Sequence, residues 1–345
     1  MKPRDRVLAA LAHSEFDRLP IKHLADAEID RRLARHFGTT RNEDMLDILG
    51  HDFREIQPVY CGPDFGSLES EHGIISGTVM ARAIQLKRPG VSLPLADISS
   101  ASELDPFLVP LSNWYDYRSV PVQCTASEGY ATVLGYCEGD FINGLSGLRG
   151  QEQVLIDIAL ADPVYVEMVQ RRFQTVYEHL ECGLQSGKGM IDFVHFGDDL
   201  GAQNGPLISV KAYRSLFSAS YREIFALAHH YGAKTVMHIC GSVAAFIPTL
   251  IEDGLDVLDV VQTNAVGMDL VTLKQRFGRD LAFAGTMCVQ KVLPFATPVQ
   301  VRQETRRRLE LFADGGLIFG PSHQIQPDTP LENILAMYEA AGGLR

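Results

Sequence analysis

Two residues that bind transition metals, His238 and Cys240, stand two positions apart in the sequence. They end a β-branched, apolar segment that predicts a strand, and residues i and i+2 of a strand point to the same side. Both can therefore reach one ion, since Zn²⁺ binds imidazole nitrogen at about 2.0 Å and thiolate sulfur at about 2.3 Å. A catalytic zinc takes three protein ligands and keeps one open position, and Cys288 and His323 compete for the third place. The alternative interpretation is that the first two residues are satisfied core side chains.

Polar side chains also follow other predicted strands. Asp198 and Asp199 follow one strand, and Gln262 and Asn264 follow another. Neighbouring side chains diverge, so we expect at most one carboxylate to enter a pocket as an acid, a base or a substrate acceptor, and we choose Asp199. Helix capping or pairing with arginine is the alternative role for these carboxylates. Gln262 and Asn264 are expected to orient a substrate.

Two further residues are candidates for substrate contact. His195 lies within a predicted strand, where a packed histidine is the alternative. Arg149 could bind an anionic group of the substrate, and a salt bridge near a helix start is the alternative.

The elements that must position these residues alternate between short apolar runs and longer amphipathic stretches. Such alternation predicts parallel strands joined by helices. Eight strands of this kind predict an α/β fold of the (β/α)8 TIM-barrel type, whose active sites lie at the carboxyl ends of the strands. A doubly wound open sheet is the alternative. The strand candidates are residues 19–24, 53–59, 132–136, 193–196, 234–239, 255–261, 281–284 and 317–319.

The chain is expected to form a single domain over residues 1–345. We see no linker that would separate two domains. An N-terminal extension precedes the barrel, and an inserted β-hairpin and loop region covers about residues 65–121, which are rich in Gly and Pro.

Composition excludes several classes of function. The net charge of -12 disfavours nucleic acid and anionic membrane as partners, and no apolar run of about 18 residues predicts a membrane span. The first twenty residues carry charges throughout, and the six cysteines include no CxxC, so we expect a cytoplasmic protein with reduced thiols. The glycine-rich nucleotide motifs, GxSxG and HExxH are absent from the sequence.

Several segments together resemble the uroporphyrinogen decarboxylase superfamily, and within it the branch of cobalamin-linked methyltransferases. The resemblance covers nearly the whole chain. It rests on residues 3–8, 17–20, 197–201, 238–242, 267–269, 326–330 and 332–333.

The resemblance implies a (β/α)8 barrel, often dimeric, with a deep pocket at the strand ends. In the methyltransferase branch, an H-x-C pair and a later cysteine hold zinc. The pair maps onto His238 and Cys240, whereas the later cysteine falls at His323 here. Cys288 stands where relatives commonly carry aspartate, so either residue could be the third ligand. The arginine-rich segment and the aspartate after a Phe-Ser pair, which the decarboxylase branch uses, are missing.

These observations predict a zinc-dependent methyltransferase that acts with a corrinoid protein on a methylated small molecule: an ether, an amine or a thiol. A homodimer is the expected assembly. The alternatives are a cofactor-independent decarboxylase of an organic acid, and a non-catalytic barrel that binds a corrinoid protein or a tetrapyrrole.

Overall fold

The computed structural model describes residues 1–66 and 76–344. The chain forms two compact units, each made of separate stretches of sequence. The first unit contains Met1–Arg54, Gly129–Ala131 and Val257–Arg345, and the second contains Glu55–Glu128 and Thr132–Asp256.

Strands and helices alternate through most of the described chain. The strands are β1 (Phe53–Ile56), β2 (Val59–Tyr60), β3 (Tyr115–Asp116), β4 (Ala131–Gly139), β5 (Phe193–Gly197), β6 (Gly201–Ala202), β7 (Gly205–Pro206), β8 (Lys234–His238), β9 (Val257–Asp259), β10 (Ala282–Ala284) and β11 (Leu317–Ile318). The helices are α1 (Pro3–Leu11), α2 (Ala27–Phe37), α3 (Asn42–Ile48), α4 (Ser76–Leu86), α5 (Ser119–Ala126), α6 (Asn143–Arg149), α7 (Gln151–Leu160), α8 (Pro163–Gly187), α9 (Val210–Leu216), α10 (Ser218–His230), α11 (Ile247–Asp253), α12 (Leu270–Phe277), α13 (Val292–Phe295), α14 (Pro298–Leu311) and α15 (Leu331–Ala340).

The second unit is built on three parallel strands in the order β4, β5, β8. Val194 of β5 lies opposite Leu134 on one side and Thr235 on the other. All five residues of β5 are buried. A continuous apolar run is typical of a parallel strand covered on both faces.

The first unit holds a second parallel set, in the order β9, β10, β11. Ile21 makes isolated parallel bridges to Phe319 and to His51. The predicted strand over 19–24 is therefore present only as bridges. Pro20 has no N–H to donate, and the N–H of Ile21 donates to the Asp52 carboxylate at 2.8 Å. The ladder is therefore limited to a few bonds, such as those from Lys22 to the Phe319 carbonyl and from Phe319 to the Pro20 carbonyl.

The α/β class and the parallel pairing are confirmed, and the other seven predicted strands are present. A closed eight-stranded barrel and a single domain stay predictions. The strand β2, just before the inserted region, pairs antiparallel with β3, near the end of that region. The described interior contains α4 and two 3₁₀ helices, Ala101–Phe107 and Leu111–Trp114, and the inserted hairpin stays a prediction. Residues 67–75 of this region lie outside the described residues.

Local sequence sets the start of two helices. Thr297 caps α14 through a reciprocal capping box with Gln300, and Pro298 occupies the first turn. Ser242 is a residue type that favours helix N-caps, but the next helix, α11, begins at Ile247. A helix from Ser242 would place Pro248 in its interior, where it lacks a donor and clashes; in α11 it lies in the first turn.

An ionic cluster in the first unit is centred on the buried Arg6 and Asp52. The Arg6 guanidinium lies 2.6 Å from Asp52 Oδ1 and 2.6 Å from Asp17 Oδ1. Arg18 lies 2.8 Å from the other oxygen of Asp52. Arg6, Asp17 and Arg18 belong to the segments that carry the family resemblance, and their role here is structural.

Among the described helices, none is long and apolar enough to cross a bilayer.

Candidate metal centre

The candidate centre of the second unit lies where β5 and β8 end. Gly197 of β5 is in register with His238 of β8. The N–H of Asp198 donates to the carbonyl of His238 at 3.0 Å, which extends the pairing by one residue. The loops that carry Asp199 and Cys240 therefore leave the sheet at the same edge.

His238 and Cys240 bring their ligand atoms together as the strand spacing predicts. His238 Nε2 lies 3.4 Å from Cys240 Sγ, and both side chains are half-buried. With ordinary bond lengths of about 2.0 and 2.3 Å, a tetrahedral zinc would hold these two atoms about 3.5 Å apart. The observed separation corresponds to an angle of about 104° at the metal, close to tetrahedral. The two residues thus fit a shared zinc ion.

Asp199 lies between Cys240 and the start of α6. Its Oδ1 accepts the N–H of Cys240 at 3.2 Å, and its Oδ2 accepts the side-chain amide of Asn143 at 2.8 Å. The predicted catalytic role of Asp199 stays a prediction. These two contacts are those of a residue that fixes the backbone beside the thiol.

Asp198 points away from its neighbour into a buried cradle. Its carboxylate accepts the N–H groups of Phe141 at 3.0 Å and Ile142 at 2.9 Å, and the hydroxyl of Tyr221 at 2.9 Å. Burial, and then the charge of Asp140, raises the pKa of Asp198 to about 7. The two adjacent carboxylates diverge in the structure, and Asp198 holds the turn that leads into α6.

His195 lies on β5 behind the metal-binding pair. It is buried, and its ring centroid lies 6.4 Å from that of His238. The two rings each offer a nitrogen within 4.8 Å of the other. The substrate contact that the sequence predicted for His195 stays a prediction. The structure places its ring next to that of His238.

Two glycines allow the loops after β5 and β8 to touch backbone to backbone. A Cβ at Gly201 would lie 2.9 Å from the carbonyl oxygen of Cys240. A Cβ at Gly241, whose φ is +81°, would lie 2.6 Å from the carbonyl carbon of Gly201. Neither position can take a side chain without moving the loop that carries Cys240.

Arg149 is placed by the structure in a buried salt bridge. Its Nε donates to Asp157 at 2.6 Å, and its Nη1 donates to the carbonyls of Leu95 at 2.8 Å and Ile98 at 3.0 Å. The side chain is 6% exposed. These contacts match the salt-bridge alternative, and they hold the inserted region to the end of α6.

The remaining predicted residues lie in the first unit, after its parallel strands. Gln262 and Asn264 follow β9, Cys288 follows β10 and His323 follows β11. Asn264 donates to the side chain of Gln290 at 2.5 Å. Cys288 is buried and His323 is exposed. Which of the two is the third zinc ligand stays a prediction.

Sequence reasoning missed two groups of residues. Asn143, which holds Asp199, belongs to none of the motifs considered. In the first unit, the Lys22 ammonium pairs with the buried Asp259 carboxylate at the end of β9. A Cβ at Gly320 would lie 2.6 Å from Lys22 Cγ, so that glycine leaves room for the lysine stem. Lys22 lies within the predicted strand over 19–24, and a charged residue inside that short segment was the available signal.

Comparison with known proteins gives three findings. The family model described as uroporphyrinogen decarboxylase (URO-D) matches residues 165–344. A methylated-thiol–coenzyme M methyltransferase from Methanosarcina mazei is 29% identical over 137 residues, which are 39% of this chain and 34% of that protein. The chain thus spans about a third of that relative's length. The solved structure of a methyltransferase from Methanosarcina mazei has a TM-score of 0.63 at 15% identity and covers 99% of this chain and 98% of its own, which shows a shared fold.

The family match runs from α8 to the carboxyl-terminal residues, and so includes β5, β8 and the loops that hold Asp199, His238 and Cys240. Because that match covers more than half of the 345 residues, the chain belongs to the uroporphyrinogen decarboxylase family, as the sequence motifs predicted.

Proposed function

We propose that the protein is a zinc-dependent methyltransferase that acts with a corrinoid protein on a methylated small molecule. The observation that carries the proposal is the 3.4 Å separation of His238 Nε2 and Cys240 Sγ at the end of β8. An imidazole and a thiolate at this spacing form a donor set suited to zinc. The methyltransferase named among the relatives supports the reaction class.

In this proposal, His238 and Cys240 supply two zinc ligands, and His323 or Cys288 supplies the third. Bound zinc would supply Lewis-acid chemistry, lowering the pKa of a substrate thiol or polarising the oxygen of a methyl ether. Gln262, Asn264 and His195 contact the substrate, and the cobalt of the corrinoid protein would supply the group that donates or accepts the methyl. Asp199 holds the backbone of Cys240 while the substrate reacts.

The proposal is tested by metal content and by methyl transfer. Freshly purified protein should carry about one zinc per chain, measured by inductively coupled plasma mass spectrometry. Methyl transfer between methylcobalamin and a panel of thiols that includes coenzyme M should be lost in Cys240→Ala. The matched control is Cys182→Ala, on α8 and remote from β8, which should keep both zinc and activity.

Two results would count against the proposal. Protein that is purified without metal, and whose activity in Cys240→Ala equals that of wild type, excludes the zinc mechanism. Release of carbon dioxide from an organic acid that persists after chelation would instead support the decarboxylase alternative.

The third ligand is identified by a pair of variants. His323→Ala and Cys288→Ala are compared for zinc affinity by competition with a chromophoric chelator. We expect only one of them to lose affinity by more than about tenfold, because removing one of three protein ligands costs far more than repacking a neighbour.

A further inference from the structure

Cys240 lies in a loop that backbone hydrogen bonds hold on either side of it, where the carbonyl of His238 accepts from Asp198 and the N–H of Ser242 donates to Ala202. The strand β8 ends at His238, and Gly241 takes a left-handed conformation with φ +81°. The N–H of Cys240 donates to a side chain, Asp199 Oδ1, rather than to a neighbouring strand. The position of the thiol therefore depends on what holds that carboxylate.

Asp199 is itself held from the other side. Its second oxygen accepts the amide of Asn143 at 2.8 Å, so one carboxylate joins the first residue of α6 to the backbone of Cys240. The N–H of Asn143 lies 3.3 Å from the carboxylate of Asp198. That carboxylate is fixed by the N–H of Ile142 and the hydroxyl of Tyr221.

We propose that Asn143 and Asp199 are positioning residues, which set the distance between the Cys240 thiolate and His238 and thereby the metal affinity of the pair. The proposal rests on the proposed zinc function, and it assigns Asp199 a hydrogen-bonding role in place of proton transfer. A ligand must be held within about 0.5 Å of its productive position, and outer partners of metal ligands commonly change affinity by about 10–100-fold.

The test compares three variants for zinc affinity by chelator competition. Asp199→Ala removes both hydrogen bonds, and we expect a loss of about 10–100-fold. Asn143→Ala removes one exposed bond, and we expect about two- to tenfold. Asp199→Asn should stay within about threefold of wild type, because its amide oxygen still accepts the Cys240 N–H and the Asn143 amide can turn to accept its NH₂ group. Asp280→Ala, an exposed residue of the first unit, is the control.

The spectrum of the Co²⁺-substituted protein provides a second measurement. The thiolate-to-cobalt absorption band should shift or weaken in Asp199→Ala and return in Asp199→Asn. Wild-type affinity and an unchanged band in Asp199→Ala would overturn the inference. Equal losses in Asp199→Asn and Asp199→Ala would also overturn it, since the charge and not the hydrogen bonds would then matter.

A third measurement separates this inference from the proposed function. Hydrogen exchange of the Cys240 amide is followed by mass spectrometry in metal-free protein, and it should accelerate in Asp199→Ala but not in Asp199→Asn. If wild-type protein binds neither Zn²⁺ nor Co²⁺, the zinc function fails while this exchange result still decides whether the two residues hold Cys240. Unchanged exchange in Asp199→Ala refutes the positioning role whatever the metal result.

Discussion

His179 of α8 should make the stability of the second unit depend on pH, and the size of this effect can be calculated. The side chain is buried, its Nδ1 lies 2.7 Å from the hydroxyl of Tyr117, and the Tyr115 ring centroid lies 4.7 Å from its own. Burial lowers the pKa of His179 to about 4, against an ordinary value of 6.5. Protonation therefore favours the unfolded chain, and the stability present above pH 6.5 is lost as the pH falls toward 4.

The size of the effect follows from the two pKa values. A difference of one pKa unit corresponds to about 1.4 kcal/mol. Between pH 7 and pH 4.5, protonation of this histidine in the unfolded chain should therefore lower the free energy of unfolding by about 2–3 kcal/mol. His179→Asn cannot gain the proton, and its amide oxygen still accepts from Tyr117. The variant loses packing at pH 7, but its further loss on acidification should be smaller than that of wild type by about 2 kcal/mol.

The assay is urea denaturation at pH 7 and pH 4.5, followed by fluorescence. The single tryptophan, Trp114, directly precedes Tyr115, so it reports on the region that contains His179. Carboxylates that titrate over this range act equally in both proteins and cancel in the comparison. His230→Asn, an exposed residue at the end of α10, should keep the wild-type pH dependence. Equal acid losses in wild type and His179→Asn would refute the reasoning.

Three further substitutions test buried contacts in the two units. Arg6→Met leaves Arg18 as the cation that still pairs with the buried Asp52, and we expect a loss of about 2–3 kcal/mol in the free energy of unfolding from urea titration. Arg149→Met should destabilise by about 3–5 kcal/mol through Asp157 while the KM of active protein stays unchanged; a raised KM at wild-type stability would restore its substrate role. Gly241→Ala strains a left-handed residue against Gly201, so thermal denaturation should show a loss of at least about 1–2 kcal/mol, and chelator competition a weaker zinc affinity.

The strand-helix alternation predicted most of the fold, because parallel strands that are buried on both faces leave continuous apolar runs in the sequence. The residues around Phe193 and Thr235 carry this signal clearly. Local pattern failed where side chains replaced backbone partners. At Ile21, the Asp52 carboxylate takes the N–H that a strand would donate, and no periodicity reveals that exchange.

For the candidate site, too, only contacts that follow from local spacing could be predicted from the sequence. The i, i+2 spacing was enough to bring His238 and Cys240 together, since it depends only on the strand period. The roles of Asp198 and Asp199 depend on residues more than forty positions away, Asn143 and Cys240 among them. Only the folded chain brings such partners together. The same is true of Arg149, whose guanidinium donates to the carbonyls of Leu95 and Ile98, about fifty positions earlier in the sequence.

Several residues in the segments that carry the family resemblance make contacts that stabilise the fold. In the first unit, Arg6 forms a buried ion pair with Asp52, and in the second unit Gly201 and Gly241 let two loops meet at backbone distance. Such contacts tolerate few replacements whatever the substrate, because a buried charge needs its partner and a Cβ at 2.6 Å has no space. Gly201 and Gly241 therefore identify the backbone contact that holds the Cys240 loop. Differences in substrate within the family must arise from side chains outside these segments, and His195, beside His238 and outside every one of them, is the first position at which to look for them.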